Sequence, residues 1–323
     1  MLRARSPINI AIALIGAALL VFTVQRVGGW SAVVGGIAAV GWWFVAVVMF
    51  GAARMAARAR AWQLCVRATG SAPLTFRHAF SAFLAGDAAG NLTPLGVLAS
   101  EPTKILMTRL HLSTLTAIAS VAIENAFYMA SVGVVLLAGT WIFLQRADVP
   151  VGLEQISEAI VVILAIILVA ALWALRARPA VLSKLAPSIT RLAGRADAPA
   201  DALRAVESRV YGVLKWPVRQ TAHVILWEAV FHIGAVGEVW MVLRLVAGDR
   251  ISVTDAFLLE SAGRFVTIAF KFVPYRLGID EVGSGAVAGA LGLAPAVGVT
   301  LALVRRLRIL VLNAVGVAIL ARR

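Results

Sequence analysis

The length of the apolar runs constrains this chain more than any other feature. Residues 8–24, 30–53, 113–144, 156–175, 221–246 and 296–320 are long stretches made mostly of Ala, Val, Leu, Ile, Phe, Trp and Gly. A membrane helix needs about 20 continuous apolar residues, whereas a membrane strand needs only about 10 that alternate with polar ones. Continuous runs therefore predict helices. With 61% hydrophobic and only 14% charged residues, and a mean hydropathy of +0.91, the composition excludes an ordinary soluble domain. The chain reads as one all-α polytopic membrane domain, residues 1–323, with about six full spans.

The single cysteine, Cys65, excludes an internal disulfide and a Cys-based metal cluster. The net charge of +14 is spread over the stretches between the runs and is not gathered on a soluble domain, so it points to membrane orientation and not to nucleic acid. Arg3 and Arg5 precede the first run, and Arg54, Arg58, Arg60 and Arg67 follow the second. Residues 176–219 carry nine Lys or Arg against Asp197, Asp201 and Glu207. By the positive-inside rule these stretches, and both termini, lie in the cytoplasm of a cell whose inner membrane holds the protein. The first run has a basic start, as a signal peptide does, but no small-residue cleavage site stands at its end, so a retained anchor is preferred. Residues 176–219 are read either as a linker or as short amphipathic helices at the membrane surface.

Two segments break the simple succession of spans. Residues 80–98 contain Gly86, Asp87, Gly90, Asn91, Pro94 and Gly96; residues 257–277 contain Gly263, Arg264, Lys271, Pro274 and Arg276. Each is apolar enough to enter a bilayer yet interrupted near its end, and non-helical backbone at that depth must be buried in protein or line a watery cavity. Both therefore read as re-entrant hairpins, with breaks at Pro94 and Gly96 and at Pro274 and Gly278. Their order also repeats. Gly86, Asp87, Pro94, Gly96 and Glu101 parallel Gly263, Arg264, Pro274, Gly278 and Glu281, and 28 residues after Gly96 and Gly278 stand Glu124 and Arg306. This predicts an inverted-topology repeat, as in transporters whose broken segments meet near the membrane midplane. Residues 1–175 hold the first repeat, at about 76–144, and residues 220–323 the second, at about 254–320, joined by the basic 176–219 stretch.

The last run carries Arg305, Arg306 and Arg308. A charge at the centre of a membrane helix costs about 2.5–3.5 kcal/mol on the insertion scale, so such residues usually face a protein interior and something to bind. Arg305 and Arg308 share one helical face, and a guanidinium suits bidentate hydrogen bonding to phosphate. Lys271 and Arg276 flank Pro274 and would complete a basic pocket. Glu281, Glu124 and Glu101 would hold these cations or carry a transported proton. The plainer readings are arginines snorkelling to headgroups, Lys271 and Arg276 ending a surface hairpin, and Glu281 capping a helix.

Residues Asn91, Leu92, Thr93, Pro94, Leu95 and Gly96 with Glu101, the run 272–281, and Leu303, Val304, Arg305, Arg306, Leu307 and Arg308 together resemble the transmembrane region of the lysylphosphatidylglycerol synthase family. That family includes the flippase part of the multiple-peptide-resistance proteins and free-standing relatives, some associated with hopanoid lipid biosynthesis. Val97 and Leu98 depart from its pattern, standing where many relatives carry an Arg or a second Gly. With no soluble acyltransferase-like domain after Arg323, aminoacyl transfer is not expected.

The resemblance implies transport of a lipid, anionic or of polyprenyl or hopanoid type. It leaves open an integral-membrane lipid-modifying enzyme, or a membrane partner of lipid biosynthesis proteins. No catalytic residue, cofactor or metal is assigned. His223, Glu228 and His232 share a run without the spacing of a zinc-protease helix, and a hydrogen-bonded Glu228–His232 pair is preferred.

Overall fold

The computed structural model describes residues 21–22, 24–25, 29–69, 74–93, 96–145, 151–177, 200–270, 276 and 278–322. Most of the expected first span, Pro94, Lys271, Pro274 and residues 178–199 lie outside them. All the regular structure among the described residues is helical: α1 (Gly29–Val40), α2 (Phe44–Ala68), α3 (Phe76–Leu92), α4 (Val97–Thr108), α5 (Thr114–Leu144), α6 (Val151–Ala177), α7 (Ala200–Tyr211), α8 (Val218–Ala247), α9 (Val253–Ala269), α10 (Ile279–Ala290) and α11 (Pro295–Ala321). The chain is an all-α, multi-pass membrane protein. Trp30–Ala68, Thr114–Leu144 and Val218–Ala247 are long and apolar enough to cross a bilayer. The 27 residues of α11 have the length but carry its three arginines.

Local chemistry sets the helix ends. The Thr75 hydroxyl accepts from the His78 amide to start α3, and Ser113 accepts from Thr116 to start α5. Ser252 and Asp255 form a capping box for α9. Pro295 opens α11, where its missing N–H costs nothing. One sequence expectation fails here. The second span does not stop at Ala53: α2 runs on to Ala68, so Arg54 and Arg58 are helical residues inside the protein and do not belong to a cytoplasmic loop. A charge that finds a buried partner gives a helix no reason to end. Likewise the helix around the apolar run 156–175 begins earlier than that run, at Val151, and takes in Glu154.

Helix lengths recur along the chain. After the long α2 come helices of 17 and 12 residues, α3 and α4, and then the long α5. After the long α8 come helices of 17 and 12 residues, α9 and α10, and then the long α11. A 17-residue helix is about 26 Å long, short of the roughly 30 Å hydrocarbon layer. In each pair the end of the second helix lies near the start of the first. His78 at the start of α3 stacks on His111, just past α4, with ring centroids 3.9 Å apart. Ile251 and Ala256 at the start of α9 share an apolar cluster with Ala288, Leu291 and Leu293 at the end of α10.

Packing between the halves is reciprocal. Helices α2 and α8 lie antiparallel: Val47 clusters with Val242 and Leu243, the Arg54 stem passes Gly234, and Ala61 and Cys65 cluster with Val224. Helix α3 lies antiparallel to α11, with Phe80 near Ile319, the Leu84 backbone against Gly316, and Asn91 donating to Asn313 at 3.2 Å. Helix α9 lies antiparallel to α5 in the same way, with Phe257 and Ser261 against Gly139, Ser261 donating to the Val135 carbonyl at 3.3 Å, and Arg264 donating to the Tyr128 hydroxyl at 3.1 Å. Small residues at these crossings bring the backbones close, the usual basis of helix association in lipid.

Candidate functional site

Between the two hairpins, α2, α5 and α11 lies a cavity of about 550 Å³. Its wall carries eight cationic residues, Arg54, Arg58, Lys104, Arg264, Arg276, Arg305, Arg306 and Arg308, against three acidic ones, Asp87, Glu101 and Asp280. Four more glutamates, Glu124, Glu238, Glu260 and Glu281, stand buried in ion pairs with these cations. Charge is therefore nearly balanced in number but not in place.

The imbalance is concentrated where α2, α8, α9 and α11 meet, because four guanidinium groups there share two carboxylates. Arg54 donates from Nη1 to Glu238 at 2.9 Å and stands 3.8 Å from Glu260. Arg308 donates to both oxygens of Glu238. Glu260 accepts from Arg264 Nε at 2.7 Å and from Arg305 Nη2 at 2.6 Å. Arg54 Nε, Arg264 Nη2 and Arg308 Nε are buried with no hydrogen-bond partner among the described residues. Two glycines admit these side chains: Gly51 lies beneath the Arg308 stem, and a Cβ at Gly263 would stand 3.3 Å from Arg305 Nη1.

The remaining cations are paired outside that cluster, Arg306 with Glu281 and, at 4.0 Å, with Asp280. Arg306 meets Glu281 at 2.6 Å and donates to the Arg276 carbonyl at 3.2 Å, while Arg276, at φ +46°, pairs with Asp280 at 3.1 Å. Arg58 meets Glu124 at 2.6 Å, and its guanidinium covers the Tyr128 ring at 3.7 Å. Lys104 pairs with Glu101 at 3.1 Å and lies over Phe83. Asp87 accepts from Asn91 at 3.0 Å. Aromatic faces thus supply part of the environment that water would otherwise give these cations.

Among the predicted site residues, Arg305, Arg306, Arg308, Arg276 and Glu101 reach one cavity, with Glu124 and Glu281 directly behind its cations. The arginines of α11 point inward and do not snorkel: Arg308 is 8% exposed. Gly96 packs against the Gly90 carbonyl at the α3–α4 break, and Gly278 holds φ +79° before α10. The sequence reading overlooked Arg54, Arg58 and Arg264 as site residues, together with Glu238 and Glu260. The two glutamates interrupt apolar helices as the α11 arginines do, so the cost of a charge in hydrocarbon, applied to acids as well, would have found them. The expected Glu228–His232 hydrogen bond is absent. His232 Nε2 pairs instead with Ser131 Oγ at 2.9 Å, because its ring turns towards α5.

This wall can receive a phosphate or carboxylate by charge-assisted hydrogen bonds from guanidinium groups already oriented by their glutamates. Among the described residues, no group of three or more His, Cys, Asp or Glu could hold a metal ion. A family model described as the lysylphosphatidylglycerol synthase TM region matches residues 8–316. Comparison with curated proteins and with solved structures finds no match.

Proposed function

The chain belongs to the lysylphosphatidylglycerol synthase transmembrane-region family, and from that premise we propose that it is a flippase-type transporter of a lipid with a phosphate-bearing headgroup, working in the bacterial inner membrane with both termini in the cytoplasm. The observation that carries this reading is the cluster of four guanidinium groups on two carboxylates at the cavity wall, with three buried N–H groups unpartnered. Buried donors of this kind are costly unless a ligand engages them. The phosphate sits against Arg54, Arg264, Arg305 and Arg308. Arg306 and Arg276 extend the basic wall, and Glu101, Glu124 and Glu281 serve as counter-charges.

The two hairpins act as re-entrant elements of an inverted repeat, one in residues 1–175 and one in 220–323, with the basic 176–219 stretch linking them. Support comes from the recurring helix lengths and the antiparallel α2–α8, α3–α11 and α5–α9 pairs. The Leu84–Gly316 contact, carried over by the spacings that relate Gly86 to Gly263 and Glu124 to Arg306, predicts a contact of Ser261 with residue 134. Ser261 bonds to Val135.

The test is reconstitution into phosphatidylethanolamine and phosphatidylglycerol vesicles with headgroup-labelled phosphatidylglycerol and a membrane-impermeant quencher. The wild-type protein should expose inner-leaflet label. Arg305→Gln should slow that exposure by about tenfold or more, since a hydrogen bond to a charged group is worth roughly 1.5–3 kcal/mol. No translocation of any labelled lipid, under conditions in which an established flippase works, would refute the reading.

A further inference from the structure

Glu228 of α8 is 1% exposed, and neither of its carboxylate oxygens has a hydrogen-bond partner among the described residues. It differs in this from the other glutamates buried to the same degree. Glu124, Glu238, Glu260 and Glu281 each face a guanidinium within 3 Å. An ionised carboxylate buried in protein without a hydrogen-bond partner is strongly disfavoured, whereas a neutral carboxyl group in the same place loses far less. Glu228 does not line the cavity; it stands one layer behind it.

The groups that face it are few. From α2 come Arg58, committed to Glu124, and the thiol of Cys65; from α5 comes Glu124; from α9 comes Arg264. His232, one turn along α8, is engaged with Ser131. Arg58 links the two sites, because it lines the cavity and also stands in the electrostatic field of both Glu124 and Glu228.

Resting on the transporter reading above, we propose that Glu228 is a proton-binding site that couples movement of the anionic lipid to the proton gradient. The coupling runs through Arg58. An anionic headgroup that engages Arg58 in the cavity weakens the positive field that would otherwise favour ionised Glu228, so the headgroup strengthens the hold of Glu228 on its proton. By linkage the proton strengthens the hold on the headgroup to the same degree. Anion and proton therefore bind together and leave together. The proton is taken from water on the side to which the cavity opens and returned to water on the other side. With one proton per singly charged headgroup the step moves no net charge.

The experiment uses the full chain in the same vesicles, with the labelled phosphatidylglycerol as probe, the membrane potential clamped, and either a pH or a sodium gradient imposed. At one proton per lipid, a pH difference of one unit should drive an asymmetry of about tenfold in the label, abolished by a protonophore. Glu228→Gln should still exchange label without a gradient but should not respond to pH. A Glu228→Gln variant that responds like wild type, or a wild type that responds to sodium and not to pH, overturns the proposal. Infrared spectroscopy tests the proton without any lipid. As the pH is lowered the wild type should gain a carboxylic-acid carbonyl band that is absent in Glu228→Gln and shifted in Glu228→Asp; without that band, Glu228 is not the proton site. Vesicles that move no lipid while the band is present would reject the transporter reading and leave the proton site standing.

Discussion

Replacing Glu238 with Gln removes the one negative charge between Arg54 and Arg308, both buried and both hydrogen-bonded to it. Two guanidinium groups would then face each other with no carboxylate between them. Breaking a buried pair by removing one partner costs about 3–5 kcal/mol. Glu238→Gln should accordingly lower the melting temperature in detergent, and adding Arg308→Met should restore part of the loss, since the double variant no longer strands that charge. A melting temperature unchanged by Glu238→Gln would mean that the cluster does not hold the bundle together. At this scale the sequence announced two of the four clustered guanidinium groups, Arg305 and Arg308, and neither carboxylate. Arg305, Arg306 and Arg308 stand out because three cations share one apolar run, whereas Glu238 and Glu260 are single acids in runs that otherwise look ordinary. Arg54 and Arg58 stayed hidden for another reason: they follow an apolar run where a loop charge is expected, and only the α2–α8 crossing reveals that Arg54 meets Glu238 and Arg58 meets Glu124 inside.

Helix crossings depend on residues that carry no charge at all. At Gly316 an added Cβ would collide with the Leu84 carbonyl of α3 and stand 2.7 Å from the Ala88 Cβ, whereas a Cβ at Gly133 of α5 would meet nothing within 4 Å. Overpacking of a close crossing costs about 1–3 kcal/mol, while an unobstructed Gly to Ala change in a helix gains about 0.5–1 kcal/mol. Gly316→Ala should therefore lower thermal stability and Gly133→Ala hold or raise it; equal behaviour of the two would refute the close α3–α11 packing. The long helices were legible because apolar length is their cause. The α3–α4 and α9–α10 breaks were legible from clustered Gly and Pro. Where α2 ends and α6 begins was not, since charge marks a membrane boundary only when water is its partner.

For the whole molecule, antiparallel packing of α2 on α8 has a consequence for topology. The end of α2 leads into α3 and the end of α8 into α9, so the starts of the two hairpins lie at opposite ends of the bundle. In a bilayer those ends face opposite compartments. Arg77 near the start of α3 and Val253 at the start of α9 are both exposed, Val253 to 60%, and each can be replaced by cysteine in a chain whose only native cysteine, Cys65, is buried and can be changed to Ala. A membrane-impermeant maleimide applied to intact spheroplasts should label Val253→Cys and spare Arg77→Cys, and both should react once the membrane is opened. Labelling of both from outside would refute the inverted repeat, and labelling of Arg77→Cys alone would keep the repeat but reverse its orientation. The distinction matters for function because the guanidinium cluster draws Arg54 from the N-terminal half of the chain and Arg264, Arg305 and Arg308 from the C-terminal half. Hairpins entering from opposite sides would let small opposed movements of α3 against α11 and of α9 against α5 open that one cluster to each compartment in turn.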